Sequence, residues 1–311
     1  MNAWSALFKR EWLEHRQAYL LAPLILLGVV VLFLATSLSL GSTGVRVSST
    51  TQSDGQTSNF EHIGSLSDLL ALSLEGRQLS EPELTQLLDQ ITSAVALPFN
   101  YLFLVILVFV LTGSLFEDRR DRTVLFWKSL PVSDLKSVLS KLIHGMWIAP
   151  LVTIAAIVVA QIAVLLMVTS HLGDNPTTSA SNVWLNSNLV FSTLELMGCY
   201  VIAGLWSLPL YSWILLVSAT VRQLPLVWVL LTPLLLIYVE SIVVGTSYLK
   251  TGIMTHLPIH VLPRAASSDT AGRDFGSVLD LFTTPDMWIG LLVGAALLYA
   301  AVEIRRRNNE I

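Results

Sequence analysis

Charge is what this chain has least of. Of its 311 residues only 13% are Asp, Glu, Lys or Arg, 53% are hydrophobic, and the mean hydropathy is +0.67. A soluble domain carries about a quarter charged residues, so this chain holds about half the charge needed to clothe a water-facing surface. A soluble globular fold is excluded. Cysteine is nearly absent as well: the single Cys199 rules out an intrachain disulfide and any cysteine-ligated metal site, and its apolar run reads as a buried, inert thiol. The net charge of −4 offers no basic surface for nucleic acid. Catalytic motifs are missing too. There is no G-x-S-x-G, no H-E-x-x-H and no G-x-x-x-x-G-K-[ST], so neither a serine-hydrolase elbow, a zincin site nor a phosphate-cradling loop is encoded. If ATP drives this protein, another chain binds it.

Long apolar runs are what the chain has instead. A hydrocarbon core about 30 Å thick requires about 20 helical residues. Six runs meet that length: Leu20 to Leu40, Ala94 to Phe116, Gly145 to Ser170, Leu189 to Ala219, Leu224 to Val244 and Asp286 to Ile304. The first holds 14 Leu, Ile, Val or Phe residues, a gain of roughly 6 kcal/mol on insertion scales. The fourth is too long for a straight span, and Pro209 predicts a kink in it. The basic residues set the orientation. Lys9, Arg10, Arg16, Arg119, Arg120, Arg122, Lys128, Lys136, Lys141, Arg222 and Arg305 to Arg307 all fall on the side of the termini, which is 13 of the 18 Lys and Arg. Both termini are therefore expected in the cytoplasm. The expected fold is all-α and integral to the membrane, with six spans.

The flanks carry further signals. Trp4, Phe8, Trp12, His15 and Tyr19 recur at helical spacing on one face, with Lys9, Arg10, Glu14 and Arg16 elsewhere, so residues 1–19 read as an amphipathic interfacial helix. In the extracytoplasmic loop 41–93, Gly41 to Asn59 is rich in Ser, Thr, Gln and Gly and reads as loop or strand-like. Ser80 with Glu83 forms a capping box, and Leu84, Leu87, Leu88 and Ile91 give the following short helix an apolar stripe. The second outer segment, 245–285, contains the apolar stretch Ile253 to Pro263, too short and too proline-rich to cross, and either re-entrant or packed on the outer face.

The inner loop 117–144 reads EDRRDRTVLFWKSLPVSDLKSVLSKLIH. Asp121 can cap a short helix from Arg122 to about Leu130, and Ser133 can cap a second whose Leu135, Val138, Leu139, Leu142 and Ile143 share a face. Glu117, Thr123 six residues later, Leu130-Pro131-Val132-Ser133 and Lys141 resemble the E-x-x-x-x-x-T…LP-[VI]-S…K pattern of ABC type-2 exporter permeases. Arg122 stands where that family commonly has glycine. The tail Trp288 to Arg307 is also similar to such permeases, and the six-span plan extends the likeness over most of the chain. The resemblance implies a permease of the bacterial plasma (inner) membrane that works as a pair, with a second copy or a related permease, on a cytoplasmic ATPase dimer. ATP and Mg belong to that partner, and this chain binds no cofactor of its own. It further implies that Glu117, Asp121, Arg122, Thr123, Leu130, Pro131 and Ser133 belong to the loop that couples to the ATPase.

Polar groups inside the spans are the remaining candidates, because each is expensive in lipid. Glu195 and Glu240, near the outer ends of the fourth and fifth spans, either line a substrate vestibule or reach interfacial water; Gln161 reads as a helix-to-helix hydrogen bond or a substrate ligand. His256 and His260 are spaced for a shared metal, but no carboxylate or cysteine completes the set, so no metal site is expected. Two other classes stay open. A secondary transporter would show internal repeats and broken helices near the midplane, and an intramembrane enzyme such as a protease or lipid transferase would show clustered Glu, His and Arg within the spans.

Overall fold

The structure is a computed structural model, and it describes residues 3–40, 45–53, 56–64, 81–121, 133–171, 180–262 and 278–307. Helix α1, Ala3–Leu40, is one unbroken element of 38 residues. The aromatic N-terminal segment is thus continuous with the first span, and at 1.5 Å per residue the whole helix is about 57 Å long, more than the hydrocarbon core requires. Its buried face is Leu7, Glu11 and Tyr19, while Trp4, Phe8, Trp12 and His15 are half-buried beside it. Strands β1 (Val45–Ser53) and β2 (Gln56–Gly64) follow as an antiparallel hairpin, with Val45 opposite Gly64 and Ser53 opposite Gln56. That is the strand-like option for this loop. Helix α2, Glu81–Arg120, joins the short outer helix and the second span into one element of 40 residues. Ser80 lies outside the described residues, as do the side chains of Glu83, Leu84 and Leu87; Leu88 is buried and Ile91 half-buried, as the stripe requires.

The third span is composite. Helix α3 (Asp134–Ile143) passes through a π-helical turn at His144–Ile148 into α4, Ala149–His171. Pro150 explains the widening: its ring displaces the carbonyl four residues back and it has no N–H to donate there. The turn closes instead with Ala149 N–H donating to the His144 carbonyl, five residues back. After the short α5 (Ala180–Asn186), the long fourth run divides into α6, Leu189–Trp206, and α7, Leu208–Thr220. The break falls at Ser207, two residues before Pro209, and the Leu210 and Tyr211 N–H groups restart the helix by donating to the Ser207 carbonyl. Helix α8 (Pro225–Val243) leads through the short α9 (Tyr248–Thr255) and a 3-10 turn at Pro258–His260 to the last span, α10, Pro285–Arg307.

Among the described residues six helices are long and apolar enough to cross a membrane, as the hydropathy predicts. Their ends sort into two levels. At one end, Leu88 of α2, Leu165 of α4, Val183 of α5 and Leu189 of α6 pack together. At the other, Ser218 near the end of α7 meets α2: its Oγ accepts from the Leu115 and Phe116 N–H groups at 3.1 and 3.0 Å and donates to the Thr112 carbonyl at 2.7 Å. Arg119 then donates to the Ser218 and Val221 carbonyls at 2.5 and 2.8 Å, satisfying the last turn of α7. Around this core runs a belt of exposed Leu, Val and Ile. On α8 only Val229 is buried, an outer surface suited to lipid rather than water.

The closest helix packing is of α10 on α7. A Cβ on Gly294 would lie 2.8 Å from Leu208 Cγ and 3.0 Å from the Leu208 backbone carbon, and one on Gly290 would meet His256 Nε2 at 2.4 Å. Small residues at helical spacing let two backbones approach where lipid gives no hydrophobic drive. Gly294→Ala is therefore expected to lower stability by about 1–3 kcal/mol, read as thermal unfolding in detergent. Gly28→Ala, whose Cβ meets nothing within 4 Å, is the neutral control.

Candidate functional site at the charged end of the bundle

The loop between the second and third spans is bracketed by two described helix ends. On one side α2 finishes in Glu117–Arg120, with Asp121 N–H bonded to the Glu117 carbonyl at 2.9 Å. The Glu117 carboxylate folds back along its own helix over Gly113, whose missing Cβ leaves room for it; a Cβ there would lie 3.1 Å from Oε1. Asp121 is exposed and paired with the exposed Arg120 at 3.0 Å. On the other side Ser133 caps α3 as expected, its Oγ accepting from Lys136 N–H at 3.4 Å. Val138 and Leu142 of the predicted stripe are buried, and Leu135 at its start is exposed. Arg122, Thr123, Leu130 and Pro131 lie outside the described residues, as does the helix expected from Arg122 to Leu130.

What sequence reasoning missed stands directly behind these ends. Asp118, 1% exposed, is the meeting point of three cations from three other helices. Arg10 of α1 pairs with Oδ1, while Lys141 Nζ of α3 lies 3.5 Å and Arg305 of α10 3.2 Å from Oδ2. Each of these cations is shared with a second acid. Lys141 also lies 3.1 Å from Glu11 Oε1 of α1, and Arg305 Nε donates to Asp134 Oδ1, at the first residue of α3, at 3.2 Å. Arg10 reaches on to Glu14 at 3.4 Å. Glu11, Asp118 and Lys141 are all 2% exposed or less, so each charge depends on its partners for the solvation that water gives elsewhere. Four helices are joined here by three cations facing four acids.

A second group of buried polar atoms borders this network. His144, in the π-helical turn, packs its ring 5.2 Å from Tyr19 and 6.4 Å from Trp12, on the face of α1 that carries His15 between them. Among the described residues both His144 ring nitrogens, His15 Nε2 and Tyr19 Oη have no hydrogen-bond partner. Glu11, Glu14 and His15 bring ligand atoms within 4.8 Å of one another. Both carboxylates are already paired, Glu11 with Lys141 and Glu14 with Arg10, so a metal cation would have to displace a lysine or an arginine.

The polar groups within the spans are distributed more simply. Gln161 Nε2 of α4 donates to the Thr92 carbonyl of α2 at 3.2 Å, a buried helix-to-helix hydrogen bond. Glu195 of α6 lies near Asp89 of α2. Burial, and then the Glu195 charge, hold the Asp89 carboxyl above the usual carboxylate range. Glu240 of α8 turns to its own outer loop, accepting from Thr246 Oγ1 and from Leu249 N–H, each at 2.9 Å, and so caps the start of α9. His256 makes separate contacts from His260: its ring stacks on Trp206 with centroids 5.1 Å apart, with Nδ1 2.7 Å from the Gly252 carbonyl and Nε2 3.3 Å from the Asp286 carbonyl.

Removing one member of a buried charge set leaves the others without compensation. Lys141→Met is expected to destabilise the folded chain by about 3–5 kcal/mol. Glu11→Leu combined with Lys141→Met should cost less than the two single changes added, because each single change leaves the other member of the pair buried without its partner and the double change removes both, while Asp118 keeps Arg10 and Arg305. A double-mutant cycle by detergent denaturation reads both, and additivity of the two would show that the Glu11–Lys141 pair carries no coupling. No family model matches this chain, and no curated protein or solved structure matches it either.

Proposed function

We propose that this chain is the membrane permease subunit of an ATP-binding-cassette exporter of the bacterial plasma membrane. It moves substrate outward with ATP and Mg held by a separate cytoplasmic ATPase dimer, and it works with a second copy or a related permease. The loop after the second span, from Glu117 through Asp121, Arg122, Thr123, Leu130 and Pro131 to Ser133, is the surface that meets the ATPase. The observation that supports this reading is the anchorage of the described helix ends on either side of that loop. Its two ends, Asp118 and Asp134, are tied through Arg305 to the last helix, and through Arg10 and Lys141 to the first.

A loop meant only to connect two spans needs no such anchorage, since the positive-inside rule is met by surface charge alone. A loop that receives force does need it. Displacement by the closing ATPases is useful only if it reaches the spans as a discrete shift between two arrangements. Glu195 and Asp89, at the far end of the bundle, then border the exit side and favour a cationic or amphipathic substrate. An intramembrane enzyme would need convergent acids and histidines within the spans. Among the described residues Gln161, Glu195 and Glu240 make separate contacts instead.

Glu117→Gln and Pro131→Ala are expected to leave insertion and expression unchanged while reducing the coupling of ATP hydrolysis to conformational change about tenfold. The check is ATPase activity of the co-purified complex with and without the permease embedded in lipid. Full coupling in both variants would sink the assignment of this loop.

A further inference from the structure

Asp118 differs from its neighbours in one respect that matters for force transfer. Glu117 and Asp121 are partly or fully open to a partner, but Asp118 is 1% exposed and touches only residues of its own chain. It therefore acts, if it acts, from within. Beside it, Lys141 lies between Asp118 and Glu11 at 3.5 and 3.1 Å, and Arg305 lies between Asp118 and Asp134 at 3.2 Å from each. A cation shared by two acids on different helices has two alternative pairings separated by a small movement. Apolar side chains in lipid slide against one another with little penalty, whereas buried charges exchange partners in steps.

We propose that Asp118 is the positioning residue that relays movement of the inner loop to α3 and α10, by re-pairing Lys141 towards Glu11 and Arg305 towards Asp134. The assignment rests on the exporter reading. In one state Asp118 holds both bridging cations and draws the ends of α1, α3 and α10 onto α2. In the other, Lys141 stays with Glu11 of α1 and Arg305 with Asp134 at the start of α3, so α3 and the last helix are released from the second while Arg10 keeps α1 on it. The charge balance is the same in both states: three cations, Arg10, Lys141 and Arg305, face Glu11, Glu14, Asp118 and Asp134 throughout. Arg10 stays on Asp118 and Glu14 in both, which keeps the acid paired while the other two cations move.

The experiment uses the permease with its ATPase in lipid vesicles, spin-labelled through Lys9→Cys on α1 and Arg306→Cys on α10, both exposed; the native Cys199 is buried. ATP with vanadate should shift the distance between the labels in the otherwise native complex. In Asp118→Asn the ATPase should still bind and hydrolyse ATP, but the shifted population should fall about tenfold. Asp118→Glu should restore it, which a purely structural role would not require. A native shift in Asp118→Asn overturns the proposal. If that variant does not fold, Arg305→Lys keeps the charge but loses the fork that reaches two acids at once; the same loss is expected there, and a native shift again overturns it. Absence of ATPase binding and of any shift in the unsubstituted complex would instead overturn the exporter reading, and this assignment with it.

Discussion

The carboxylate of Asp118 is the point on which the architecture depends. In a bilayer, two apolar helices gain little by touching each other rather than lipid, so packing alone leaves their axial register loosely set. Fixed register has to come from groups that lipid cannot satisfy. Asp118 supplies it for four helix ends at once, through Arg10, Lys141 and Arg305, and a single acid surrounded by three cations cannot shift along any one helix without losing a partner. The same logic recurs nearby on a smaller scale. Ser218 Oγ and the Arg119 guanidinium fix α7 against α2 through three backbone carbonyls and two N–H groups. Toward the middle of the bundle Tyr200 Oη donates to Asn100 Oδ1 at 2.7 Å, joining α6 to α2. Helix α2 is a partner in each of these locks, which makes it the frame against which the other spans are placed.

Two proline-caused irregularities decide what that frame can reach. Pro150 widens the third span into the π-helical turn at His144–Ile148, and this places the His144 ring beside Tyr19 and Trp12 of α1. Pro209 ends α6 early at Trp206 and restarts α7 at Leu208, where Leu208 and Pro209 meet the Gly294 and Gly290 positions of α10. Without the break, a run of this length would continue past the membrane as one helix. With it, α7 can pack closely on α10 while α6 keeps its own contacts with α4. Both irregularities thus serve helix pairing. The first also adds His144 to the half-buried His15 and the buried Tyr19 that follow Glu11 on α1, so the charged end of the bundle is polar well beyond the paired charges themselves.

Much of this was legible in the amino-acid sequence, for reasons that are specific. The spans follow from hydropathy because a bilayer sets a minimum length that ordinary cores do not. The Ser133 cap and the Gln161 bond were legible because each answers a local requirement: an orphan N–H at a helix start, and a polar group in lipid. The face of α1 was legible only in part. Spacing picked out the aromatics Trp4, Phe8, Trp12, His15 and Tyr19, but Leu7 and Glu11 are the residues packed most deeply beside Tyr19. An apolar stripe sought by hydropathy cannot include a glutamate. The joint at Asp118 was illegible for a related reason: the run EDRRDR looks the same whether every charge is solvated or one is buried, and the partners of that one charge are distant in the chain.

Phase along each helix separates these cases. On α2 the deeply buried positions Phe99, Phe103, Leu107, Leu111, Ser114 and Leu115 recur every three or four residues, and the next steps, three and four on from Leu115, are Asp118, which is buried, and Arg119, which is half-buried against α7, whereas Arg120 falls outside the series and is exposed. On α10 the buried Met287, Gly290, Gly294 and Ala301 lead in the same way to Arg305, whereas Arg306 and Arg307 fall out of phase and are 76% and 77% exposed in their side chains. On α1, Leu7 leads to Glu11 and on to Tyr19 by steps of four. In each helix a charge stands where the packing stripe calls for an apolar residue, and in each it is at the same end of the bundle. The stripes of α2 and α10 end in opposite charges, Asp118 and Arg305, which pair directly, and Glu11 of α1 joins them through Lys141 of α3; the faces converge there because none of these buried charges has another way to be solvated. The topology rule counts Arg305, Arg306 and Arg307 as equals; the phase of the stripe makes one of them part of the core and leaves the other two to the surface.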